Sequence, residues 1–268
     1  MLFDYIVEIS PLIFCHLLVP TLEEGPVLTI SWPRDLSFLQ KNFIYSRANW
    51  SNKRYWTALL YMFVHKDKLH LYTNLLGLFF GGYTVHQELG LPGLLIAYLG
   101  GGIAGAVETR FKETQLSDRL SLILYLKGDS LITKWINELS KSLSIFIAPR
   151  ILAYCTYAGA SSGVCAVVSL ELCLTMKKMY TLLARPAEQR NKKDKKRLIT
   201  LCFKSALNLL DLFNIIRYSV FGITFHNTDF DWGADHAGHT QGIAFGLSIF
   251  VLRHLYIYAS SVLSNYNL

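Results

Sequence analysis

Charged residues are scarce in this chain. Only 17% of its 268 residues are Asp, Glu, Lys or Arg, whereas 52% are apolar. Soluble domains carry about 25% charged residues, so the composition argues against an ordinary soluble protein. Several apolar runs approach the roughly 20 residues that cross a bilayer. The composition therefore predicts an all-α, multi-pass integral membrane protein, with the lipid bilayer as its surroundings.

The chain also lacks the patterns of disulfide frameworks and zinc sites. Its five cysteines lie in or beside apolar runs without a Cys-x-x-Cys pair, so buried free thiols are expected. No His-Glu-x-x-His occurs, and His236 and His239 are only three residues apart, which argues against a zinc protease. We expect no metal and no cofactor.

The net charge of +7 does not predict a nucleic-acid partner, because the basic residues cluster beside apolar runs. Residues 177–197 hold nine Lys or Arg against two acidic residues, which is typical of a cytosolic loop. The fourth span then runs from outside to inside, although this orientation places the mildly basic 108–149 segment outside.

The apolar pattern predicts a single domain of six spans. Residues 5–22 lack the basic start and the cleavage site of a signal peptide, so they are predicted as the first span. Amphipathic stretches predict interfacial helices in an inserted loop at 108–149. The spans are expected at about residues 5–22, 69–85, 91–107, 161–176, 198–221 and 239–253.

Three polar side chains are expected at one depth in three of these spans. Ser161, His239 and His70 each lie roughly 21–24 Å from the inner end of their span, at about 1.5 Å per residue. Polar or ionisable residues at such a depth are expensive, so a functional site is the default hypothesis.

Each of these residues also has a purely structural interpretation. Ser161 stands in a run of small residues that suits close helix packing as well as a nucleophile. His70 and Asn74 share one helix face, where they form either an oxyanion-stabilising pair or interhelical hydrogen bonds. His239 is either a general base or a polar contact. Asp235 and His236 before it either orient it or cap the helix, and capping is favoured.

Together these segments resemble the rhomboid family of intramembrane serine proteases. Gly-Ala-Ser-Ser-Gly-Val at 159–164 resembles the family's Gly-x-Ser-Gly segment. Residues 235–242, continuing to Gly246, resemble its His-x-x-Gly-x-x-x-Gly segment, which carries the base. Residues 65–74 are similar to its His-x4-His-x3-Asn segment. Order and spacing agree across roughly residues 50–255, which is more specific than any one motif.

The resemblance implies a six-helix rhomboid-like bundle with a Ser–His dyad. Ser161 would be the nucleophile and His239 the general base. His70, Asn74 and the Ser161 backbone N–H would form the oxyanion site, and His65 would be structural. The implied partners are single-span transmembrane protein substrates, cleaved where helix-breaking residues allow local unwinding.

Some positions depart from the family pattern. Ser162 replaces the second glycine of the nucleophile segment, so the nucleophile is Ser161 or alternatively Ser162; Ser161 keeps Gly159 and Val164 in register. Thr57 stands where an arginine is expected after Trp56.

Two other functions remain open. One is a rhomboid-like pseudoprotease that binds or escorts membrane proteins. The other is a transporter or channel, which would use a polar stripe in the fifth span, although pairing of that stripe with other spans is favoured. The stripe consists of Lys204, Asn208, Asp211, Asn214 and Arg217.

Overall fold

The computed structural model describes residues 2–28, 36–123, 159–221 and 236–265. Within these ranges the secondary structure is helical without a β-strand, which confirms the all-α prediction for this part of the chain. Short 3₁₀ turns occupy Tyr61–Phe63 and Ala187–Gln189. The α-helices are α1 (Leu2–Leu18), α2 (Leu36–Asn42), α3 (Arg47–Ser51), α4 (Thr57–Leu60), α5 (Lys68–Ile123), α6 (Ser161–Leu183), α7 (Lys192–Phe221) and α8 (His236–Asn265).

Helix α5 is folded back on itself at a glycine. Gly90 has a φ of 68° and a ψ of −179°, a conformation that L side chains rarely adopt, and it divides α5 into a first and a second arm. A Cβ placed on Gly82 of the first arm would lie 3.2 Å from Leu94 of the second. The break therefore falls between the predicted second and third spans. The second arm stays helical to Ile123, beyond the predicted end at 107.

Helix α6 packs against both arms of α5. Along the first arm, Gly77 faces Val164 and Gly81 faces Val168, so the two helices run in the same direction. The second arm runs the opposite way, since Gly101 faces Ala166 while Gly105, further along, faces Ser162.

Helix α8 also runs parallel to α6. Gly242 lies against Ser162, and one turn later Gly246 lies against Ala166. The first arm of α5, α6 and α8 therefore share one direction. Their parallel course brings the heads of all three to one end of the bundle.

The core between these helices is built from large apolar residues. Helix α1 packs against this core through Tyr5, whose hydroxyl lies 2.9 Å from the backbone oxygens of both Leu78 and Phe79. The largest fully buried apolar side chains are Tyr5, Tyr98, Ile9, Met62, Leu71, Leu78, Leu94, Leu170 and Leu174.

Apolar side chains also cover the outside of the bundle, as expected of a surface that faces lipid. Phe80, Phe213 and Leu252 are each more than half exposed. Among the described residues, the stretches Lys68–Ala106 and Gly238–Ser264 are long and apolar enough to cross a membrane. The count of six spans stays a prediction.

We expect Gly246→Ala to destabilise the protein through the contact between α6 and α8. A Cβ at this position would lie 2.1 Å from the backbone oxygen of Ala166, so the helices must separate, at a cost of about 1–3 kcal/mol. Thermal unfolding in detergent micelles measures the loss. Ser248→Ala, at an exposed position of the same helix, should unfold like the wild type; equal stability of the two variants would contradict the close packing.

Candidate functional site

The side chains of Ser161 and His239 meet at the head of the bundle. Ser161 is the first residue of α6, and its Oγ atom lies 2.6 Å from Nε2 of His239 on α8. Both side chains are only partly buried. An imidazole in hydrogen-bond contact with a hydroxyl can take its proton as the oxygen attacks a carbonyl carbon. The chemistry available to this pair is therefore nucleophilic catalysis with a general base.

Ser162, the neighbouring serine, is buried and makes different contacts. Its Oγ atom lies 2.8 Å from the backbone oxygen of Gly101 on the second arm of α5 and 2.7 Å from that of Gly238 on α8. Only 4% of the residue is exposed. Ser162 thus joins three helices from within the core, while Ser161 stands at its edge.

The loop before Ser161 is shaped by Gly159. This residue has a φ of 117°, and its N–H donates to the backbone oxygen of Tyr61 at 3.0 Å. A Cβ placed on Gly159 would lie 2.6 Å from Cε1 of His70. Both the conformation and the close approach require glycine. The arrangement brings the His70 ring next to the segment that leads into Ser161.

Asn74, the second predicted oxyanion donor, is bonded within its own helix. It is 7% exposed, and its Nδ2 atom donates to the backbone oxygen of His70 at 2.8 Å. Since an amide group carries two N–H donors, this bond uses one of them. The helix that carries both residues begins with a cap, because the His70 N–H donates to Asp67 Oδ1 at 2.7 Å.

His65 lies behind His70 and is 1% exposed. The ring centroids of the two histidines are 5.2 Å apart, and that of His16 lies 5.4 Å from His65 on the other side. Burial lowers the pKa of the His65 ring to about 3, so the ring is neutral at ordinary pH. His65 is therefore a buried, uncharged ring packed between the rings of His70 and His16.

Other predicted features of the site have less structural support. Asp235 and residues 124–158 lie outside the described residues. Trp56 is half exposed, and the neighbouring Thr57 is buried, with its Oγ1 donating to the backbone oxygen of Arg54 at 2.7 Å. In the part of the chain that the structure describes, the cysteines are free thiols and no group of three His, Cys, Asp or Glu residues could hold a metal ion.

A buried ionic cluster further along α6 was not predicted from the sequence. Glu171 is 1% exposed and forms an ion pair with Lys204 of α7. It also accepts hydrogen bonds from Thr84 of α5 at 3.0 Å and from Asn208 of α7 at 2.9 Å. Lys204 in turn donates to Thr84 at 2.7 Å. Two residues of the polar stripe therefore pair with other helices, as favoured above.

The signal for this cluster was present in the sequence. Glu171 is an acidic residue inside an apolar run, ten residues after Ser161, which is about 15 Å along the helix. An isolated acidic residue in one span and a lysine in another are expected to form an ion pair, since neither charge is stable in lipid alone.

Two comparisons with known proteins find similarity to the same family. A family model described as Rhomboid domain matches residues 52–256. The chain is also similar to RHOMBOID-like protein 12, mitochondrial, of Arabidopsis thaliana, with 34% identity over 70 residues. That match covers 26% of this chain and only 21% of the relative. No solved structure matches the chain.

Proposed function

The chain belongs to the Rhomboid family, and from this premise we propose that it is an intramembrane serine endopeptidase. Its substrates would be single-span membrane proteins, cleaved in or near the transmembrane segment. The observation that carries the proposal is the 2.6 Å contact between Ser161 Oγ and His239 Nε2. The serine and the histidine are 78 residues apart in sequence and lie on different helices, yet their side chains meet at a distance suited to proton transfer.

In the proposed mechanism, the Ser161 hydroxyl attacks the carbonyl carbon of the scissile peptide bond while its proton passes to His239 Nε2. The tetrahedral oxyanion is stabilised by the His70 and Asn74 side chains and the Ser161 backbone N–H. His239 then gives its proton to the leaving amine. A water molecule, deprotonated by His239, then attacks the acyl-enzyme carbonyl carbon. The ester bond to Ser161 Oγ breaks, the new carboxylic acid leaves, and His239 returns the proton to Ser161 Oγ. No cofactor takes part in these steps.

The contacts support Ser161 rather than Ser162 as the nucleophile. The Ser162 hydroxyl donates to backbone oxygens inside the core, and moving it to a substrate would leave the junction of three helices without its hydrogen bond. Ser161 is the more exposed of the two and already touches the base.

The alternative function is a pseudoprotease that binds or escorts membrane proteins without cutting them. Such a protein has no need of an aligned dyad, and nothing in its function would maintain the spacing between Ser161 and His239. The alignment of the two side chains therefore favours the protease.

Labelling with a fluorophosphonate probe tests the proposal and the choice of serine together. Wild type and Ser162→Ala should label, whereas Ser161→Ala should not, because only Ser161 is activated by a base. Gel fluorescence of the purified proteins in micelles reports the result. Loss of labelling in Ser162→Ala alone, in a variant that thermal unfolding shows to be folded, would move the nucleophile by one residue. A folded wild type that neither labels nor cleaves a helix-destabilised substrate would favour the pseudoprotease.

A further inference from the structure

A basic cleft lies at the opposite end of α6 from Ser161. It is formed by the C-terminal part of α6, the start of α7 and the bend of α5, and has a volume of about 170 Å³. We call it the inner cleft. Its polar lining consists of Glu88, Lys177, Lys178, Thr181, Arg185 and Arg197.

The charges of the inner cleft do not balance. Its single carboxylate, Glu88, already binds Lys178 at 2.9 Å and Arg253 at 3.9 Å. Lys177 and Arg197, by contrast, have no ion-pair partner among the residues that the structure describes. Arg185, another cation of the lining, pairs with Asp194 at 3.9 Å. The cleft therefore carries an excess of two positive charges, those of Lys177 and Arg197, which suits an anion.

The surroundings of the cleft indicate which anion. Leu174 and Leu182 form its apolar wall. The apolar run of α6 stops at Lys177, so the cleft lies at the predicted boundary between hydrocarbon and headgroups. Basic pockets between helices at this depth are suited to phospholipid headgroups.

We propose that the inner cleft binds the phosphate of an anionic phospholipid headgroup, with Lys177 and Arg197 as its main contacts. Since these two residues belong to α6 and α7, a bound lipid bridges the ends of both helices. The proposal rests on the membrane location of the chain and not on its catalytic activity.

Native mass spectrometry of the full chain in detergent micelles tests the proposal. Wild type titrated with phosphatidylglycerol or phosphatidylcholine should retain the anionic lipid preferentially. In the double variant Lys177→Gln, Arg197→Gln, retention should fall by roughly fivefold for each charge removed. The matched control Lys192→Gln, Lys193→Gln removes the same charge from exposed positions outside the cleft and should bind like the wild type.

Two results would overturn the proposal. Equal loss of lipid in both double variants would show general attraction to basic residues rather than a site. A second arm adds inorganic phosphate or glycerophosphate in equal amount to the lipid. If either soluble anion displaced the lipid completely, the cleft would be a site for free phosphate. Thermal unfolding of each variant confirms that the comparison is made on folded protein.

Discussion

Replacing His239 by alanine should slow cleavage of a transmembrane substrate by about 10²–10⁴-fold, the usual contribution of a general base. Among the residues that the structure describes, His239 Nε2 is the only hydrogen-bond partner of Ser161 Oγ, at 2.6 Å. Without the imidazole, the hydroxyl keeps its proton and the leaving amine receives none. Cleavage of a single-span substrate in proteoliposomes, followed as product per unit time, measures the effect.

A matched control is available on the same helix. His254 stacks on Phe250, with ring centroids 4.1 Å apart, far along α8 from Ser161. His254→Ala should keep wild-type cleavage within about twofold, since it touches no part of the dyad. If His239→Ala also cleaved normally while remaining folded, His239 would be a packing residue and the proposed dyad would be wrong.

The second large effect concerns stability. Lys204→Met should destabilise the protein by about 3–5 kcal/mol, because it leaves the Glu171 carboxylate buried without its positive partner. The hydrogen bonds from Thr84 and Asn208 remain, but they do not neutralise the charge. Denaturation in mixed micelles, followed by circular dichroism, gives the change in the free energy of unfolding.

A double variant separates the charge from the shape of the cluster. Glu171→Gln combined with Lys204→Met removes both charges and keeps a polar side chain for Thr84 and Asn208, so most of the lost stability should return. Lys196→Met, at an exposed position near the start of α7, should change stability by less than about 0.5 kcal/mol. A double variant no more stable than Lys204→Met would mean that the ion pair is not what stabilises this region.

Part of the close packing follows from spacing in the sequence. Gly242 and Gly246 come about one and two turns after His239, a spacing that suits a close helix contact, and both lie against the α6 backbone. The break between the second and third spans was likewise visible, because Gly90 and Pro92 interrupt the apolar run. Both features are local, so they could be read without knowing the rest of the fold.

Contacts between distant side chains were less accessible. The pairing of Glu171 with Lys204 depends on the relative rotation of two helices, which the weak periodicity of an apolar span does not specify. The same holds for Asn74, whose amide bonds to the His70 backbone oxygen, a choice that propensity does not determine. The two serines at the head of α6 could be told apart only when their burial was known.

The Ser162 hydroxyl has a single proton to donate, and two acceptors lie within hydrogen-bond distance of it, the backbone oxygens of Gly101 and Gly238. At any instant only one of them can receive the full hydrogen bond. Because Gly238 immediately precedes His239, this shared hydrogen bond ties the start of α8, and with it the proposed base, to the helix that carries the proposed nucleophile.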